Sequence, residues 1–129
     1  MGKTKQFSVS MENRPGRLAR VCRLLADRKV NIIALSVAET TEQGILRLVV
    51  DRPDEAVKVL EECGLSFTET DVLLVEVPNK IGIMADVAEK LSAKKINVNF
   101  VYGSTGKRGG MTYIVLGTSN LRAAEEALA

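Results

Sequence analysis

Apolar and polar residues alternate early in this chain. Phe7, Val9 and Met11 interleave with Ser8, Ser10 and Glu12, the period of a strand with one buried face. The period then changes. Leu18, Val21, Cys22 and Leu25 fall at i, i+3, i+4 and i+7, one face of a helix. Pro15 suits the first helical turn, where its missing N–H is harmless, and Asn13 lies just upstream, where caps occur. Asn31-Ile32-Ile33-Ala34-Leu35 opens a second strand, residues 40–44 read as a turn, and 45–50 as a third strand. Pro53 opens a short helix carrying Ala56, Val57 and Leu60 and closing near Gly64. Residues 65–70 read as a fourth strand.

The same pattern returns sixty-six residues on, without gaps from 9–50. Asn13 falls on Asn79, Gly16 on Gly82, Lys29 on Lys95, Asn31 on Asn97, Gly44 on Gly110 and Val49 on Val115. Val9, Ala19, Val21 and Leu25 meet Val75, Ala85, Val87 and Leu91, making ten identities. Leu73, Val75 and Val77 repeat the first strand, and Met84, Val87, Ala88 and Leu91 the helix face. The second copy ends at its second helix, 119–128, with Ala124, Ala127 and Leu128 inward. The element order predicts an α+β fold of two ferredoxin-like βαββαβ repeats side by side, residues 1–70 and 71–129. Each has an antiparallel sheet with helices on one face, and the second lacks its last strand. The edge beside residues 73–77 then invites another strand, so a homodimer or higher even oligomer is expected. In the competing view Lys3, Lys5 or a loop shields that edge.

Composition narrows the chemistry. With 129 residues, 46% hydrophobic and 26% charged, the chain is an ordinary globular domain by make-up. A net charge of +2 is too weak to argue for nucleic acid. There is no His, which excludes Ser-His-Asp triads, Cys-His pairs and His-containing zinc sites. The two cysteines, Cys22 and Cys63, form no CxxC pair, and Cys22 on the apolar helix face reads as a buried structural thiol. No run approaches the roughly 20 apolar residues of a membrane helix. The basic start leads into no apolar stretch. A cytoplasmic protein without metal or cofactor is expected.

Asn13-Arg14-Pro15-Gly16-x-Leu18, with Leu25 and Val30-Asn31-Ile32, resembles the ACT domain. Asn79-Lys80-Ile81-Gly82-x-Met84, with Leu91 and Ile96-Asn97-Val98, is a looser version. ACT domains are small regulatory modules that often bind amino acids and sit on enzymes of amino-acid metabolism. The resemblance implies a non-enzymatic, amino-acid-binding regulatory protein with a possible metabolic enzyme as partner. It implies ligand residues Asn13, Pro15, Gly16, Leu18, Asn31, Asn79, Gly82 and Asn97. Family geometry pairs the loop of one module with the post-helix Asn of the other, so Asn13 and Gly16 would face Asn97, and Asn79 and Gly82 would face Asn31. Some serine-binding members carry a His two residues before the first Asn. Met11 and Val77 stand there, which argues against serine. Ile81 in place of Pro15 implies a second site that is weaker or lost.

The residue types suit that chemistry independently. Glycine lets a ligand approach the backbone, helix N-termini favour carboxylates, and an Asn amide offers both a donor and an acceptor. The alternative is architectural: asparagines as caps or positive-φ turn residues, and glycines relieving crowding against a strand. A second alternative is an interaction module that docks without binding a ligand.

Other readings fail on pattern. The loop 103–110 resembles a phosphate loop, but Gly106-Lys107 comes too early, Arg108 follows, and a strand comes next, so it reads as a mobile hairpin. Arg14, Arg17, Arg20 and Arg23 read as a solvated helix face. RNA-recognition domains of this fold stack bases on aromatics in strands one and three; here the first copy offers Phe7 in strand one and none in strand three, and the second offers Tyr113 alone in strand three, so no nucleic-acid partner is expected. Glu61-Glu62 and Glu125-Glu126 lie on short solvated helices, where nothing raises a carboxyl pKa for catalysis.

Overall fold

In the computed structural model, residues 2–39, 43–105 and 109–129 are described. Ten elements follow in the order read above: β1 (Gly2–Glu12), α1 (Arg17–Asp27), β2 (Ile32–Glu39), β3 (Gln43–Val50), α2 (Pro53–Glu62), β4 (Phe67–Pro78), α3 (Ile83–Ala93), β5 (Val98–Thr105), β6 (Met111–Thr118) and α4 (Leu121–Leu128). They divide into two compact units, one of residues 5–70 and one of 71–129 together with residues 2–4.

In the unit of residues 5–70, β3 pairs antiparallel with β1 on one side and β2 on the other. Phe7 opposes Leu48 and Val9 opposes Leu46, so the alternation read from sequence turns these side chains to one face. They form a core with Leu25 of α1 and Leu60 of α2, all fully buried. Each such side chain contributes roughly 1.5–3 kcal/mol through burial. The start of β4 lies against β1: Ser10 N–H donates to the Ser66 carbonyl at 3.0 Å. The rings of Phe7 and Phe67 meet edge to face at 5.9 Å.

The second unit repeats this plan. Here β6 pairs antiparallel with β4 and β5, setting Leu73 opposite Leu116 and Val75 opposite Ile114. Val87 and Leu91 of α3 and Ala124 of α4 close its core. The repeat's own sequence ends at α4, and residues 2–4 belong to its unit, with Lys3 Nζ 4.0 Å from Asp71. The edge beside 73–77 was expected to stand open at the place of a last strand. Instead, the start of β1 lies in that unit.

Four expectations change. The strands read as 65–70 and 73–77 are one continuous strand, β4, because Glu69-Thr70-Asp71-Val72 contains no Gly or Pro to turn the chain. The gapless overlay holds only through β2. Met11 opposes Gly44, while its counterpart Val77 opposes Thr112, so the offset after the hairpin is sixty-eight rather than sixty-six. Two extra residues between β5 and β6 cause the shift, and the matches of Gly44 with Gly110 and Val49 with Val115 are out of register. The helix faces also begin later than read: Val21, Leu25, Val87 and Leu91 are buried, whereas Leu18 and Met84 remain 36% and 43% exposed. Cys22 is half-buried rather than buried. Part of the turn at 40–44 and of the loop at 103–110 lies outside the described residues.

Candidate functional site

Arg14-Pro15-Gly16-Arg17 forms a turn before α1 rather than its first helical turn. Gly16 has φ 87 and ψ −13, the third-position conformation of a type II turn, which favours Pro before it and Gly at it. Arg17 N–H donates to the Arg14 carbonyl at 3.3 Å, and Arg20 N–H to the Gly16 carbonyl at 3.0 Å, the first bond of the helix. The second repeat copies the turn, with Gly82 at φ 90 and ψ −4, Ile83 N–H on the Lys80 carbonyl at 3.2 Å, and Asp86 N–H on the Gly82 carbonyl at 3.0 Å. Ile81, in the place of Pro15, is 88% exposed.

These turns decide between the readings of the glycines. A Cβ at Gly16 or Gly82 would meet nothing within 4 Å, so neither glycine relieves crowding. Positive φ is what requires them. Since both N-caps are glycines, the capping positions carry no side chain, and Asn13 and Asn79 sit three residues upstream. A true Asn cap exists at α4, where Asn120 Oδ1 accepts from Ala123 N–H at 3.0 Å. Asn13, Pro15, Gly16 and Leu18 are exposed together at the start of α1. Asn79 is half-buried and tied by its backbone to the β5–β6 hairpin: its N–H donates to Gly110 at 2.7 Å, and its carbonyl accepts from Gly109 at 3.2 Å.

Asn31 and Asn97 lie beyond the other ends of α1 and α3. The positive-φ residues there are Lys29 and Lys95, at φ 59 and 58, not the asparagines. Asn31 N–H donates to Asp51 Oδ1 at 2.8 Å, and its carbonyl accepts from Asp51 N–H at 3.1 Å. The Asn97 carbonyl accepts from Thr118 Oγ1 at 2.8 Å, while its side-chain amide donates to Asn99 Oδ1 at 3.2 Å. The eleven residues of α1 span about 16 Å, so Asn13 and Asn31 of one repeat cannot touch the same amino acid. Sequence reasoning brought the turn residues of each repeat together, but not its two asparagines.

The surroundings of the two turns differ in charge. Arg14 Nε lies 2.7 Å and Arg17 Nη2 4.0 Å from Glu12 Oε2, and Glu12, Arg17 and Arg20 line a cleft that reaches Cys63 and Leu65. Around the second turn stand Lys80, Ile83 and Asp86. Among the described residues no group of three or more His, Cys, Asp or Glu could hold a metal. No helix among them is long and apolar enough to cross a membrane.

A family model described as an ACT domain pair matches residues 2–129. The chain belongs to the ACT domain pair family. A protein of known crystal structure from Bacteroides thetaiotaomicron resembles this ACT pair with a TM-score of 0.90 and 34% identity, over 98% of this chain and 86% of that one. The ligand-free regulatory subunit of aspartate kinase from Thermus thermophilus shares the fold, with a TM-score of 0.74 and 15% identity over 98% and 89% of the two chains. Among curated relatives, the acetolactate synthase small subunit of Mycobacterium bovis is 26% identical over 83% of this ACT pair and 77% of its own length.

Proposed function

We propose that this ACT pair is a non-catalytic regulatory protein of amino-acid metabolism, working in the cytoplasm, which binds a small amino acid at its glycine turns. The observation that carries the reading is the repeated turn itself. Gly16 and Gly82 hold left-handed backbone at the start of a helix, with open space where a side chain would stand. Backbone N–H groups and the positive end of the helix dipole face a carboxylate there, and an Asn lies three residues away. The second Asn of a site would come from outside the repeat, since one helix separates the two within it. A melting screen against the twenty amino acids tests this. One of them at a hundred times its dissociation constant should stabilise the protein by about 2.7 kcal/mol. No shift with any of them overturns the reading.

The similarity to the Mycobacterium acetolactate synthase small subunit favours a second reading, a subunit that docks on a metabolic enzyme. Self-association fits either. Among the described residues of its unit, the strand β2 pairs with β3 alone and leaves Leu35 and Val37 44% and 47% exposed, an apolar edge strand suited to a second copy. Light scattering at micromolar concentration should return twice the mass of the chain.

A further inference from the structure

One cleft in the unit of residues 5–70 combines an apolar interior with a cationic mouth. It lies between the end of β1, the start of α1 and the turn that closes α2, and holds about 130 Å³. Met11 and Val21, both buried in the core, form its floor. Cys63 and Leu65, half-buried and packed on the same core, form its walls. Between them Gly64, at φ 68, turns the chain. Arg17, Arg20 and Glu12 stand at the mouth. The charges there do not cancel. The Glu12 carboxylate is held by Arg14 at 2.7 Å and lies 4.0 Å from Arg17. Among the described residues Arg20 has no ion-pair partner. Three guanidinium groups therefore share one carboxylate. Pro78, Ile83 and Asp86 stand sixty-six residues after Glu12, Arg17 and Arg20, so the guanidinium pair has no counterpart in the second repeat.

We propose that this cleft binds a short, branched aliphatic monocarboxylate that carries no ammonium group. The interior has the size for its tail, since an apolar protein cavity of about 150 Å³ takes up benzene. The carboxylate then lies at the mouth between Arg17 and Arg20. A guanidinium matches a carboxylate through its planar fork of donors, and such charge-assisted bonds are about twice as strong as neutral ones. An α-amino acid of the same skeleton fits less well. Its ammonium would enter among the guanidinium groups, and Glu12, the carboxylate that lines the cleft, is already engaged by Arg14. A charge taken from water without a partner is costly. The ligand differs in class from the amino acid proposed at the glycine turns, and the two readings stand or fall separately.

The test uses the full chain and three probes of one carbon skeleton: 4-methylpentanoate, leucine and 4-methylpentan-1-ol. In calorimetry 4-methylpentanoate should bind once per chain, with a dissociation constant of about a millimolar or tighter. Iodoacetamide labelling, read by mass spectrometry, reports on the cleft itself. Saturating 4-methylpentanoate should slow labelling of Cys63 at least fivefold and leave Cys22, which does not line the cleft, unchanged. Leucine and the alcohol at the same concentration should leave Cys63 labelling unchanged. Arg20→Gln, at an exposed position, should weaken binding of the carboxylate at least tenfold. Leu65→Trp, which fills the cleft, should abolish it, with melting curves confirming that both variants fold. No binding at tens of millimolar 4-methylpentanoate overturns the proposal, as does undiminished binding in the folded Arg20→Gln protein. Protection of Cys63 by leucine equal to that by the carboxylate also overturns it.

Discussion

The Val30 N–H donates to the Leu25 carbonyl across 2.9 Å, and this bond encloses Lys29 in left-handed conformation. With Lys29 N–H on the Ala26 carbonyl at 2.9 Å, it completes a Schellman motif at the end of α1. The second repeat has the same motif, from Ile96 N–H to Leu91 and from Lys95 N–H to Ser92. At the end of α2 the equivalent place is Gly64, at φ 68. Two of three such ends therefore use lysine where glycine fits without strain. Lys29→Gly and Lys95→Gly should each raise stability by about 1 kcal/mol, read as a higher urea midpoint at unchanged slope. An unchanged or lower midpoint for both would refute the strain.

Gly16 poses the reverse case. Gly16→Val places a β-branched residue at φ 87 and should lower stability by about 1–2 kcal/mol while leaving the fold intact. Its side chain would also stand in the open space before α1. Calorimetry with the amino acid found in the melting screen should show binding lost at that turn. Undiminished affinity in the folded variant would remove Gly16 from the site.

Gly103 is glycine for another reason. A Cβ there would lie 2.8 Å from the Tyr113 carbonyl oxygen, a backbone atom that cannot swing aside. Gly103→Ala should force β5 away from β6 and lower stability by about 1–3 kcal/mol. Hydrogen exchange should quicken along β5 and β6 before it does elsewhere in that unit.

The Lys58 ammonium, hydrogen-bonded to Glu55, holds the Glu55 carboxyl below the usual glutamate value, with Arg52 and Arg28 adding to the effect. A folded-state pKa below the unfolded one contributes stability that is fully present above the ordinary glutamate range. It is lost as pH falls through that range toward the folded value. Because Glu55 is only half-buried and its partner Lys58 is exposed, the effect is small. Glu55→Gln should flatten the acid limb of a stability-against-pH curve below about pH 5 and leave neutral stability nearly unchanged. An acid limb as steep as that of the parent would show that Glu55 contributes nothing there.

The repeat, its element order and its two turn motifs were legible because alternation, helical spacing and the Asn-x-x-Gly pattern each follow from local physics. The slip from sixty-six to sixty-eight was not. An overlay without gaps stays plausible through Gly44 and Gly110, since a glycine-rich loop absorbs two residues without disturbing the apolar pattern around it. The left-handed Lys29 and Lys95 were equally hidden, because lysine carries no preference for that conformation and the backbone bonds that close the helix hold it there. Placing the helix faces one turn early, at Leu18 and Met84, shows that periodicity gives a face but not how far the core reaches along it. The membership of residues 2–4 in the second unit had no apolar signal, for Gly2-Lys3-Thr4 has no large apolar side chain to bury.

Those three residues bear on how the protein can be handled. Cutting between Thr70 and Asp71 would not yield two whole modules: the carboxyl-terminal piece would lose Lys3 and its neighbours, and the amino-terminal piece would carry them without Asp71. A purification tag or fusion partner attached at the amino end would emerge beside Asp71, Leu121 and Arg122. It would therefore burden the module that lies later in the chain, and a carboxyl-terminal tag at Ala129 would burden the same one.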